Sequence, residues 1–185
     1  GLNTVSGYEN LYLGYKSGHG NELGAKNIMI GSKTGLNSNA SNNVFIGTVT
    51  DTSNTVGVGA NTVSNDLLQG INNVMIGTNT GINNTFGAEN IFIGSDSGKL
   101  NTLGSNNIYF GDNAGQNGTN SHKNICIGKQ AGETNVTGNT NIIIGNEAGK
   151  TIETNTNDNI IIGNQAGQTN NIDSSIFIGT GAGKI

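Results

Sequence analysis

The stretch Asn90-Ile91-Phe92-Ile93-Gly94-Ser95-Asp96-Ser97-Gly98 decides the fold, because the chain repeats it. Asn107-Ile108-Tyr109-Phe110-Gly111 through Gly115 is a second copy. Others run Asn124 to Gly132, Asn141 to Gly149 and Asn159 to Gly167. The unit is Asn, apolar, variable, apolar, Gly, two variable residues, a small residue, Gly. Its first Gly falls at 14, 31, 47, 59, 77, 94, 111, 128, 145, 163 and 179. Most steps are 16 to 18 residues (94 − 77 = 17, for example), and the exception is 12 (59 − 47). A short β-branched apolar–x–apolar core favours a strand over a helix. The Gly after it suits a turn needing positive φ or close backbone approach. Such a unit cannot bury a face alone and must stack on its neighbours. The expected fold is therefore all-β. It is a parallel β-solenoid of about eleven coils of ~17 residues, a rod roughly 50 Å long at ~4.8 Å per coil.

Each position in the unit carries an expectation. Asn10, Asn27, Asn43, Asn73, Asn90, Asn107, Asn124, Asn141 and Asn159 recur at the strand entry. At one-coil spacing their amides can form a hydrogen-bonded ladder. The competing reading is a row of Asn that binds sugar or ice. The residues flanking the strand centre, Ile28, Ile30, Ile91, Ile93, Ile108, Phe110, Ile125, Ile127, Ile142, Ile144, Ile160 and Ile162, are assigned to the coil interior. The central residues then point the opposite way. They are Tyr12, Met29, Phe45, Met75, Phe92, Tyr109, Cys126, Ile143, Ile161 and Phe177, with Gly57 in the contracted unit. They are expected to form an outer apolar stripe that meets other chains, a closed homotrimer burying it along its axis. The alternative is a ligand-binding stripe. A third Gly often precedes the Asn by three residues, as at Gly24, Gly87, Gly104 and Gly138, and marks a second, weaker side of each coil. Residues 48–72 break the rhythm and are read as a contracted coil or a loop excursion. The ends, Gly1 and Ile185, lack capping units, which suggests a segment of a longer fibre.

Composition narrows the function. The 185 residues include 31 Gly, 34 Asn and no Pro, and all eight basic residues are Lys. Charged residues are 11%, against a usual ~25%. The net charge of −4 offers no basic patch for nucleic acid. No run of about eighteen apolar residues is present to insert in a membrane. His19 and His122 stand alone in turn regions and are read as solvated, with no second ligand at metal spacing. Cys126 has no CxxC partner and reads as a small buried apolar residue. The carboxylates, including Asp96 and Glu147 on turns, are scattered singly, without the convergent pair that glycoside hydrolysis needs. No EF-hand loop or phosphate-binding Gly motif appears. The expectation is no enzyme, no metal and no cofactor.

The pattern, best seen in Asn141-Ile142-Ile143-Ile144-Gly145-Asn146-Glu147-Ala148-Gly149, resembles the head repeats of trimeric autotransporter adhesins. It also resembles related repeats of phage tail fibres and large-virus fibres. The resemblance covers nearly the whole chain. The unit here is longer than the adhesin head repeat, has an additional Gly, and is bulkier at its centre. The resemblance implies a trimeric, surface-displayed β-roll that adheres to hosts. The expected function is a structural fibre of a virus or phage, extracellular or on the virion, supporting or mediating host attachment. Its partners would be itself and a host-surface glycan or protein receptor. The alternative is a bacterial trimeric adhesin head; an ice- or glycan-binding solenoid or a polysaccharide-cleaving fibre ranks lower.

Overall fold

A computed structural model describes residues 6–35, 41–49, 56–62, 70–152, 155–169 and 173–184. Eleven strands form one parallel sheet in sequence order: β1 (Leu11–Leu13), β2 (Ile28–Ile30), β3 (Val44–Val49), β4 (Val56–Thr62), β5 (Val74–Ile76) and β6 (Ile91–Ile93), then β7 (Ile108–Phe110), β8 (Ile125–Ile127), β9 (Ile142–Ile144), β10 (Ile160–Ile162) and β11 (Ile176–Ile178). Each strand pairs with its repeat equivalent. Ile91 lies beside Ile108, Phe92 beside Tyr109 and Ile93 beside Phe110. One regular circuit therefore takes 17 residues (108 − 91). This is the parallel β-solenoid expected from the repeat. Among the described residues there is no helix.

The strand is only three residues long in the regular coils, so it turns one side chain to one face and two to the other. The structure inverts the expected assignment. Met29, Phe45, Met75, Phe92, Tyr109, Cys126, Ile143 and Ile161 point into the coil and are 0–1% exposed. Tyr12 and Phe177, near the two ends, pack partly buried against the same core. Conversely, Ile28, Ile30, Ile91, Ile93, Ile108, Phe110, Ile125, Ile127, Ile142, Ile144, Ile160 and Ile162 lie on the outer face, half-buried to exposed.

The reason is volume. A coil this narrow admits one row of large side chains at the strand, provided the facing wall is nearly bare. A small residue followed by Gly supplies that wall after most strands: Ser or Thr with Gly after β1, β2, β5 and β6, and Ala-Gly from β7 onward. Ala114, Ala131, Ala148 and Ala166 are fully buried. A Cβ on Gly98 would sit 2.6 Å from the Phe92 ring, and one on Gly115 would sit 2.5 Å from Tyr109. The size of the central residue can vary because the far wall compensates. Tyr109 reaches across its coil to Ser121 Oγ (2.9 Å), where the coil below has Gly104. Ile143 shares its coil with buried Ile152, which replaces an Asn of that wall. The Phe92 and Tyr109 rings stack at 4.9 Å and 6°, one coil apart.

The strand-closing Gly has a different duty. A Cβ on Gly94 would lie 2.4 Å from Gly111 O, at φ +131°. The backbones touch at this edge, and nothing larger than hydrogen fits. Of the irregular stretch 48–72, Val56–Thr62 form β4, which stays in the sheet between Val44 and Val74. The chain therefore returns after 12 residues (56 − 44) in a contracted coil. Residues 50–55 and 63–69 of that stretch, and the ends Gly1 and Ile185 where capping was in question, lie outside the described residues. Gly57 contributes no side chain to the interior, and the core divides there into one cluster around Met29 and Phe45 and another from Met75 to Ala166.

Three substitutions test this arrangement by thermal or denaturant unfolding. Phe92→Ala removes an interior ring and should cost about 3–5 kcal/mol. Gly94→Ala should cost several-fold more than a typical Gly→Ala change, which is about 1 kcal/mol or less, because its Cβ meets a carbonyl. Thr140, a β-branched residue held at φ 61°, should gain about 1 kcal/mol on replacement by Asn, the residue of the equivalent position 106.

Candidate interaction surface

The outer face of the sheet carries two parallel rows, one on each side of the buried central row. On every strand both outward residues are apolar: Leu11 and Leu13, Ile28 and Ile30, Val44 and Ile46, Val56 and Val58, Val74 and Ile76, then Ile or Phe110 through Ile176 and Ile178. No charged or polar side chain interrupts them. Ile108 is 37% exposed, Phe110 50% and Leu13 62%. The rows lie ~7 Å apart and extend ~50 Å at standard strand dimensions. That outline covers several hundred Å², the upper range of apolar patches on a monomer. Purely parallel sheets are normally covered on both faces. This one is covered on the inner face alone.

The polar rows are occupied by the fold itself. Asn107 donates from its backbone N–H (2.9 Å) and its Nδ2 (3.1 Å) to Asn90 Oδ1 one coil below. Its second amide proton goes to Ser121 O (2.7 Å) in the same circuit, at the opposite corner. Asn27 with Asn10, Asn43 with Asn27, Asn124 with Asn107, Asn141 with Asn124 and Asn159 with Asn141 repeat both downward bonds. Asn90 N–H donates likewise to Asn73 Oδ1. All nine except half-buried Asn10 are buried. The Asn row is therefore an internal ladder, and its amides are not offered to a sugar or to ice.

A second Asn row was legible as Asn-x-x-Gly but was not singled out from the sequence. Asn21, Asn84, Asn101 and Asn135 each donate to the carbonyl of the Gly three residues on. Another unforeseen set joins the turn to the coil above. Thr34 Oγ1 donates to Gly47 O (2.6 Å), and Thr80 Oγ1 to Gly94 O (2.7 Å). A third ladder runs up one corner: Ala88 N–H to Ser105 Oγ, Ser105 N–H to His122 Nδ1, His122 N–H to Asn139 Oδ1 and Asn139 N–H to Asn157 Oδ1. His122 is thus a rung of this ladder while its side chain stays half-buried. Its Nδ1 accepts at 3.1 Å, so its proton sits on Nε2, which faces Asn120 Oδ1 at 3.0 Å.

Reactive groups do not converge. Burial pushes the Cys126 thiol up, and burial with Cys126 nearby does the same to the Tyr109 phenol. Both stay neutral at physiological pH. Glu147 is held below the usual carboxylate range, first by the Gln165 amide that donates to it (2.8 Å) and then by Lys150. Asp96 pairs with Lys99 at 3.1 Å on the turn surface. Among the described residues no three His, Cys, Asp or Glu lie close enough to hold a metal ion. No described helix is long and apolar enough to cross a membrane.

Asn107→Ala leaves Asn124 N–H without its acceptor and should cost about 2–4 kcal/mol, whereas Asn146→Ala on the exposed turn should change stability by ~0.5 kcal/mol or less. His122→Asn installs the residue the next coil uses and should preserve the melting temperature at neutral pH. His122→Ala, which removes the acceptor of Ser105 N–H, should melt lower than His122→Asn; equal melting of the two variants would contradict the ladder role. Comparison with known proteins finds no family model, no curated protein and no solved structure that matches this chain.

Proposed function

We propose that this chain is a shaft segment of a fibre, non-catalytic, that associates with copies of itself through the outer sheet face. Three copies around one axis would bury the two apolar rows. The observation that carries this reading is the uninterrupted pair of rows on β1 to β11. The sequence-based argument for association had placed the wrong residues in contact, but an apolar stripe exists on the other set. Surface periodicity favours a second copy as the occupant. A partner with the same ~4.8 Å rung spacing stays in phase with the rows along the whole rod, and a surface of another period does not. The rows' several hundred Å² of exposed apolar surface is also of the size that marks an interaction site.

With the Asn rows hydrogen-bonded internally and the single thiol sealed in the core, the reading gives the repeat a mechanical task. It holds a length and presents whatever adjoins it. The resemblance to fibre and adhesin repeats supports display outside a cell or on a virion, as the support or the agent of attachment to a host glycan or protein. The same resemblance supports a bacterial adhesin head as the second reading. A membrane-anchoring region in the parent gene would favour that one.

Sedimentation equilibrium should give three chains per particle. Glu at Ile127 and Ile144 together should convert the particle to a folded monomer, since two unpaired charges would be buried at the interface. A parent that stays monomeric at high micromolar concentration would defeat the reading. So would a double variant that still assembles.

A further inference from the structure

We infer that Phe110 sets the register in which copies of this chain meet. The inference rests on the self-association proposed above. A surface of repeated rungs has a degeneracy: sliding one copy past another by one coil replaces Ile with Ile. The outward pairs on β6, β8, β9, β10 and β11 are all Ile–Ile. A slip along those rungs changes no chemistry, and along β1 to β5 it exchanges only aliphatic side chains, Leu, Val and Ile, for one another. Register is weakly specified wherever a pattern repeats without a mark. A slip has consequences for assembly, however. A head-to-tail contact closes into a ring only if no translation accumulates around it, and otherwise it grows as an open-ended polymer. A fibre of defined width therefore needs a rung unlike the others.

Phe110 is that rung. It is the only aromatic among the outward strand residues, and it is 50% exposed while the residues above and below it, Ile127 and Ile93, are half-buried. The ring stands proud of its row. In a rotationally closed assembly equal rungs converge at one height, so the Phe110 rings meet one another. Offset or edge-to-face packing is available to them there. After a one-coil slip each ring faces an Ile of the neighbour, loses its aromatic partner and holds the flanking rungs apart. The position corresponding to Phe110 is Ile on all six other rungs from β5 onward, so nothing in the coil itself requires a ring there. Phe110 points out of its coil, and its own core is filled by Tyr109.

The test is Phe110→Ile, which makes the outward pairs uniform from β6 to β11. Sedimentation velocity of the parent should give one boundary. The variant should melt within a few degrees of the parent and keep its β-sheet circular dichroism, yet sediment as a ladder of larger species. Phe110→Tyr, which keeps the ring, should restore one boundary. A Phe110→Ile protein that forms the same single particle as the parent would overturn the register role and leave self-association standing. A monomeric Phe110→Ile would make the ring an affinity anchor and overturn it too. A monomeric parent would remove the association itself.

Discussion

Everything in this molecule depends on the approach of one coil to the next at the strand-closing glycine. There the backbone of each circuit lies against a carbonyl of the following one, closer than any Cβ permits. That contact fixes the coil spacing, and the spacing brings like residues together. Asn reaches Asn, the Phe92 ring stacks on Tyr109, and strand pairs with strand in register. Backbone pairing alone would leave the corners of each circuit unsatisfied. The Asn ladder, the Asn-x-x-Gly turns, the Thr hydroxyls and the corner row that includes His122 fill those gaps. A buried polar group without a partner costs about 1–3 kcal/mol, and here the same solution is repeated in coil after coil.

The spacing also determines what the chain can offer to others. A three-residue strand has one inward and two outward side chains. The interior is too narrow for two rows of Ile, and the wall of small residues and Gly leaves room for one row of varied shape. The two outward rows then inherit the more uniform residues. An apolar face of eleven rungs is left on the surface, unconsumed by the fold. The buried Asn rows are hydrogen-bonded within the stack, and the thiol is closed off in the core. What remains is a long, regular, apolar strip, the surface on which the proposed self-association rests.

The repeat, the strands, the sheet order and the Asn ladder were legible because each is a matter of spacing. Direction was not. Alternation says that the central residue opposes its neighbours, but it does not say which side is inside. Both faces of the strand are apolar, so no polar side marks the outside, and the flanking residues such as Ile91, Ile93, Ile125 and Ile127 are the ones the sequence reading assigns to the core. The physical logic runs the other way, because an interior can accept different shapes when its far wall changes with them. The signs were present in Gly118 and Ser121, where that wall departs from the repeat in the coil that holds Tyr109, and in Ile152 of the coil that holds Ile143. They can be read only once residues about ten apart are known to face each other. The corner ladder was hidden for another reason: Ala88, Ser105, His122 and Asn139 share no composition, only a place in the circuit.

The orientation of a single strand is therefore the most direct test of the whole account, and β8 is suited to it because its central residue is already Cys126. Thiol labelling would be compared for the native parent and for Ile125→Cys and Ile127→Cys, each of which adds one outward thiol. The account predicts that Cys126 stays unlabelled until the chain is unfolded, while each added thiol reacts with the reagent or joins neighbouring chains through a disulfide. Rapid labelling or cross-linking of Cys126 in the native protein, with positions 125 and 127 silent, would contradict it.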